Sequence, residues 1–395
     1  MKEKFQQYFK GDPVIWVIIF ILCILSMLTV YSATGTLAYK KLGGNTSYFI
    51  MKQFLCLAGG IGITWIFHNI PYKYYHKISQ LLLLLSLTLL LWTLVRGASL
   101  NEASRWISVP VIGLTFQTSD LAKFALIMYV ARLLANKQDD IKDFKKAFIP
   151  IIWPIAGICL LILPANFSTA AIVFTTCLIL MFIGRVNLKY ILGLTGLGVV
   201  ALSIFIVVMI NMPDSGRVGT WKRRIENFTS GNDNGNYQVN QAKIAIVTGG
   251  IFGKGPGNST QRNFLPHPYS DFIYAIIVEE YGFLGGVITL MLYIVLLVRA
   301  GKLVRKSERT FPAFLTIGLI LSLVFQALIN MAVAVSLFPT TGQTLPLVSM
   351  GGTSVLFTCI GLGIVLSVSR SLTLPDENAE IEMQAVKQQT NGKQG

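Results

Sequence analysis

Apolar stretches of about 18 residues or more recur along the whole chain, each long enough to cross a hydrocarbon core of roughly 30 Å. That recurrence decides the solvent. The chain reads as an all-α, polytopic membrane protein with about ten transmembrane helices. They fall at about 13–32, 53–70, 78–95, 117–135, 148–164, 168–184, 189–211, 271–298, 312–336 and 345–369. Composition agrees: 53% of the 395 residues are hydrophobic and only 13% are charged, about half the charged share usual in soluble domains. A net charge of +15 would suggest nucleic acid in a soluble protein. Here the basic residues are expected in cytoplasmic loops, and no nucleic-acid partner follows from them.

Lysine and arginine alternate between loops. Lys73 and Lys77, then Lys137, Lys142, Lys145 and Lys146, then Arg185 and Lys189 occupy one set, which ends with "RAGKLVRKSER" at Arg299–Arg309. The loops "PANFS" and "FPTTGQT" carry none. Outvoting Lys40, Lys41 and Lys52, this places both termini in the cytoplasm. Residues 1–12 are then a cytoplasmic N-terminus, 13–370 the transmembrane domain, and 371–395 a polar, disordered cytoplasmic tail. The first span follows Lys2, Lys4 and Lys10 without a small-residue cleavage site, and reads as an uncleaved helix. All five cysteines (Cys23, Cys56, Cys159, Cys177 and Cys359) lie inside spans without metal-ligand spacing, as buried small hydrophobes do.

One connection differs from the rest. Residues 212–270 form a long extracellular loop between spans seven and eight, and loops of that length are usually functional or disordered. Within it "QVNQAKIAIVTGG" reads as a short amphipathic helix at the membrane surface, and "GGIFGKGPGNS" supplies glycine-permitted bends. "GIFGKG" lacks the spacing of a phosphate loop, which excludes a nucleotide site. The loop ends at Asp271, where a polar segment meets an apolar span that also holds Glu279 and Glu280. Ionisable groups inside spans are costly and read by default as functional. Glu279 lies eight residues on, roughly 12 Å deeper along the helix, and the two glutamates also fit a simple polar interior. Asp120 and Lys123, three residues apart, share a helix face and fit either a site or a structural ion pair.

Three ordered stretches resemble one family. "ASRWISVPVIGLTFQTSDLAK", the loop "YQVNQAKIAIVTGGIFGKGPGNSTQRNFLPHPYSDFIYAIIVEEYG" and "NMAVAVSLFPTTGQTLPLVSMGGTS" resemble segments of the SEDS proteins, the FtsW and RodA glycosyltransferases that polymerise peptidoglycan. The likeness spans about residues 14–370 and leans towards FtsW. This chain departs from the family pattern at Asn166, where an aspartate usually stands, and at Thr118, Asp120 and Met350; Asp271 is retained.

The resemblance implies polymerisation of lipid II at the outer face of the bacterial cytoplasmic membrane, for division or elongation. Asp271 would act as general base on the acceptor sugar's 4-hydroxyl, and the transfer would be inverting. Arg105, Asp120, Lys123, Lys254, Gln261, Arg262 and Ser349 are the implied substrate-binding residues, the basic ones serving the leaving pyrophosphate. A divalent cation, magnesium or manganese, is implied without assigned ligands. So are a class B penicillin-binding protein as transpeptidase partner and other division or elongation proteins. "GFLGG" at 282–286 and "GLGI" at 361–364 offer small-residue surfaces either for such a partner's helix or for packing within the bundle. A flippase for the lipid-linked precursor is the alternative, since it too would use intramembrane charges; a division scaffold leaves Asp271 unexplained.

Overall fold

The computed structural model describes residues 10–373 apart from 44, 97, 101–102, 110–113, 212–218, 220–221, 223, 225, 227 and 229–236. The expectations for residues 1–9, for the tail beyond 373 and for much of the long loop lie outside the described residues.

A helix begins wherever an apolar run meets a cap. Helix α1 (Pro13–Ala33) starts with proline at its first position, and Asp12 accepts the Val14 N–H at 2.9 Å. Helix α2 (Gly35–Leu42) is short; α3 (Ser47–Asn69) and α4 (Tyr72–Arg96) follow. A small antiparallel sheet comes next, with β1 (Ala98–Leu100), β2 (Ala103–Val109) and β3 (Leu114–Gln117) in that order and Trp106 paired to Ala98 and to Gln117. Among the described residues it is the one departure from an otherwise all-helical reading. Helices α5 (Thr118–Asn136), α6 (Ile149–Ile162, entered through a wide turn at Phe144–Phe148), α7 (Phe167–Ile183) and α8 (Leu188–Asn211) continue the bundle. Helix α9 (Tyr237–Gly249) is the short helix expected in the long loop. Helices α10 (Ile273–Lys306), α11 (Thr310–Ala334) and α12 (Thr353–Thr373) complete it.

Each expected span thus coincides with a helix, and the chain is a multi-pass membrane protein. Among the described residues eight helices are long and apolar enough to cross a membrane, and α7 is a shorter apolar helix. Helix α5 carries Asp120, Lys123 and Arg132 within 19 residues. The centre of the bundle is formed by α11 and α12, each with 72% of its apolar window buried in protein, against 6% for the window in α8.

Small residues set the closest contacts. A Cβ on Gly318 of α11 would stand 2.8 Å from Ile127 of α5 and from Leu180 of α7. Of the two glycine-rich stretches, the one at Gly361 packs within the bundle, where a Cβ would meet Phe124 of α5 at 2.7 Å, while a Cβ on Gly286 would meet Val278 of its own helix at 2.9 Å. The last span starts at Thr353, eight residues later than its apolar pattern suggests. Pro346 cannot donate to a helical ladder, and residues 345–352 instead run as irregular backbone.

Candidate active site

Irregular backbone at membrane depth survives only when protein satisfies its polar groups. Side chains from three helices do this for residues 343–349. Tyr293 Oη donates to Pro346 O at 2.6 Å, and Ser26 Oγ donates to Val348 O at 2.8 Å and is itself held by Gln53 Nε2. Gln326 Nε2 donates to Thr344 O at 3.0 Å, and Asn330 Nδ2 to Gln343 O at 2.7 Å. Leu347 is held at φ 64°, a left-handed conformation uncommon for a leucine.

Asp271 lies against this segment, two residues before the first turn of α10. The residue is half-buried, and Ser270 Oγ donates to Oδ1 at 2.8 Å. A Cβ on Gly342 would stand 3.6 Å from Oδ2, so this glycine (φ 67°) forms a close wall beside the carboxylate. The charge of Asp271 reaches two further groups. It opposes the burial that lowers the Arg224 guanidinium from its ordinary value, and it adds to the burial that raises the Tyr269 phenol. Arg224 also donates to Thr340 O at 3.1 Å. Sequence reasoning missed Arg224, whose only signal was the basic cluster "WKRR" in the long loop.

The glutamates have a different task. Helix α10 is broken at Gly282, where φ 71° and ψ −174° define a conformation open essentially to glycine. The freed backbone groups pair with the turn after α9. Lys254 N donates to Glu279 O (3.0 Å) and Gly255 N to Glu280 O (2.9 Å), while Phe283 N donates to Gly250 O (2.8 Å) and Leu284 N to Ile251 O (3.3 Å). The side chains repeat the theme. Fully buried Glu279 accepts from Lys254 Nζ at 2.6 Å, Ser259 Oγ at 2.5 Å, and Thr260 N and Oγ1 at 3.1 and 2.9 Å. Glu280 Oε1 accepts from Ser32 Oγ and from Ser259 N, and Arg262 reaches Ser32 Oγ (2.9 Å) and Gly257 O (2.9 Å). The loop is thereby clamped to α10 and to the end of α1.

The other expected site residues are spread over these elements. Lys254 and Arg262 hold the loop, and Gln261 sits in its one-turn helix with its N–H directed at Glu279 and Oε1 buried without a partner. Ser349 Oγ donates to Ser270 O at 2.7 Å and accepts Leu345 N at 2.8 Å. Buried Lys123 gives its ammonium to Gln326 Oε1 at 2.7 Å, with Asp120 as the acidic charge acting on it. Asn166 caps α7 through Thr169 N (3.2 Å) and meets Gln343 Nε2 at 3.5 Å. Arg105 lies in β2. The structure therefore brings Gln326, Asn330 and Ser349 onto one irregular segment beside Asp271, with Lys123 linked to it through Gln326, and gathers Lys254, Gln261 and Arg262 on the glutamates instead.

Comparisons fit this arrangement. Residues 13–374 match the family model described as cell cycle protein, FtsW/RodA/SpoVE. The chain is 31% identical over 371 residues to stage V sporulation protein E of Bacillus subtilis, covering 91% of this chain and 97% of that protein. It is 32% identical over 366 residues to the probable peptidoglycan glycosyltransferase FtsW of Coxiella burnetii, covering 90% and 95%. Among solved structures, a chain of a peptidoglycan synthase complex coordinating polymerization and crosslinking matches with TM-score 0.70 at 25% identity, over 92% of this chain and 99% of that one. Thermus thermophilus RodA shares the fold, with TM-score 0.68 at 23% identity, over 92% and 98%. With the family model covering nearly every described helix, this chain belongs to the FtsW/RodA/SpoVE family.

Proposed function

We propose that the chain is a peptidoglycan glycosyltransferase that polymerises lipid II into glycan strands at the outer face of the bacterial cytoplasmic membrane, serving division or elongation. The observation that carries the mechanism is the placement of Asp271: a half-buried acid at the mouth of a membrane helix, its charge felt by Arg224 and its backbone anchored by Asn330 of α11. A base there meets a sugar in water while the lipid-linked donor stays in the bilayer.

Asp271 takes the proton of the acceptor sugar's 4-hydroxyl as that oxygen attacks the donor's anomeric carbon. The bond from that carbon to the pyrophosphate breaks on the opposite face, so the centre inverts and no covalent sugar intermediate forms. Such a base is typically worth 10²–10⁴-fold. Arg224, whose charge interacts with that of Asp271, offers a cation to the charge developing on the pyrophosphate. Lys123, Asp120, Gln261 and Arg105 are retained as substrate-binding candidates; Lys254, Arg262 and Ser349 serve the substrate through the loop and segment they hold. Among the described residues no group of three His, Cys, Asp or Glu side chains is placed to hold a metal ion. A magnesium or manganese ion would therefore come with the pyrophosphate and one or two carboxylates rather than from a protein cage.

A class B penicillin-binding protein is the proposed transpeptidase partner, since no outside loop carries an S-x-x-K motif for cross-linking. The loop charges support a cytoplasmic side for both termini.

The test is glycan-strand formation from purified lipid II. Asp271→Asn keeps shape and volume but cannot accept the proton, so the rate should fall by at least ~100-fold in a folded, inserted protein. Near wild-type polymerisation by that variant would overturn the assignment.

A further inference from the structure

The carboxylate proposed as base stands outside the regular helix, so α10 alone does not hold it. Three successive carbonyls before α10 are instead each taken by a different donor. Met350 N donates to Tyr269 O at 2.9 Å, Ser349 Oγ to Ser270 O at 2.7 Å, and Asn330 Nδ2 to Asp271 O at 2.8 Å. Of the three donors only Asn330 comes from a helix, and it lies near the end of α11, buried at 1% exposure.

Its second hydrogen bond goes to Gln343 O at 2.7 Å. A primary amide has two N–H groups in one plane, and here they join two chain segments 72 residues apart, from Asp271 to Gln343. Gly342, the wall beside Asp271 Oδ2, immediately precedes Gln343. One side chain therefore fixes both the base and the surface facing it. Gln343 carries the connection on, since its Nε2 donates to Thr169 Oγ1 at 3.0 Å and so ties the assembly to the start of α7.

Building a polar residue into so apolar a helix is costly, and packing alone does not call for an amide there. We propose that Asn330 is a positioning residue for the transfer reaction, setting the reach of the Asp271 carboxylate without touching the sugar; this rests on Asp271 being the base. A displacement of about 1 Å from productive geometry costs on the order of 10²-fold, so a side chain that sets that distance controls the chemical step rather than substrate affinity.

The experiment is polymerisation kinetics of the full-length chain in lipid, with lipid II as substrate, for Asn330→Ala and Asn330→Asp in the wild-type and Asp271→Asn backgrounds. Asn330→Asp preserves the shape and removes the donors. Rates are normalised to monodisperse, folded protein. The expected result is a fall in kcat of ~10–100-fold with KM within about threefold, and no further loss in the Asp271→Asn background, because the effect acts only through that carboxylate. Should Asn330→Ala not fold, Asn330→Ser keeps one donor and should give an intermediate loss with the same background dependence. An unchanged kcat, or an equal fractional loss in both backgrounds, overturns the positioning role while leaving the base assignment intact. Near wild-type activity of Asp271→Asn alone overturns the base assignment and this inference with it.

Discussion

Replacing Gly282 by alanine tests whether the broken helix is part of the site. At φ 71° and ψ −174° an L-residue is strained by roughly 1–3 kcal/mol, but that is only the minimum. The new Cβ would lie 2.1 Å from Ile251 O and 2.5 Å from Gly253 N, both backbone atoms that have no side-chain freedom to yield. The turn after α9 must then leave α10. In an unbroken helix Phe283 N and Leu284 N would return to Glu279 O and Glu280 O, recovering two of the four bonds now made across the break. Two are lost, at about 0.5–1.5 kcal/mol each. The departing loop also takes Lys254, Ser259 and Thr260 from Glu279, stranding a fully buried carboxylate. Breaking a buried pair on one side costs roughly 3–5 kcal/mol, so the total is on the order of 5 kcal/mol.

Gly282→Ala should therefore lower the apparent melting temperature in detergent and expose residues 250–262 to protease. It should also reduce glycan-strand formation by at least ~10-fold, because straightening α10 swings the segment that ends at Asp271. Gly301→Ala is the control, since the same helix has open space around it there. It should be neutral or stabilising by up to ~1 kcal/mol. Wild-type melting, protease resistance and rate in Gly282→Ala would refute the reasoning.

Lys123→Ala should reduce polymerisation by at least ~10-fold with a small change in melting, because Gln326 still holds Thr344 through its amide nitrogen. A large melting loss that Asp120→Asn restores in the double variant would instead identify a structural ion pair. Asn166→Asp, which installs the acid usual in the family, should preserve the α7 cap and leave the rate within about threefold, since the present role is capping and acceptance from Gln343; a tenfold gain or loss would show that this position takes part in the chemistry. A partner's single helix should cross-link through cysteines at exposed Ile288 or Val295 of α10, because α11 is mostly covered. Cross-links confined to α1, α3 and α4 would refute that docking face.

What the sequence disclosed depended on how local each cause was. The spans and the short helix at Tyr237–Gly249 were legible because apolar runs and their flanking residues act within a few turns. Asp271 was legible because an acid at a membrane boundary is conspicuous whatever it touches. The role of Glu279 was not, since its donors arrive from Lys254 to Gln261 through a loop whose path the chain does not announce. Glu280 depends on Ser32, 248 residues away. The break at Gly282 hides for the same reason: "EEYGFLGG" reads as helix packed by small residues, and only the turn at 250–255 supplies partners that make a break affordable.

The same logic separates the two groups of cations. Lys254 and Arg262 looked like pyrophosphate ligands because they are basic and lie in the long loop, yet each is engaged by an acceptor within the fold. Arg224 lacked any motif, and its charge interacts with that of Asp271. A cation already satisfied by a buried carboxylate loses that pair when it turns to a substrate, a cost of several kcal/mol. One half-buried beside the base can stabilise a developing charge without giving up an equivalent partner. Charge counting in a loop cannot make this distinction; it follows from which acids the fold has already paired. On that ground Arg224, rather than Lys254, is the loop cation expected to face the leaving group, and Arg224→Ala should slow polymerisation while Lys254→Ala should chiefly loosen the loop, as read by protease sensitivity at 250–262.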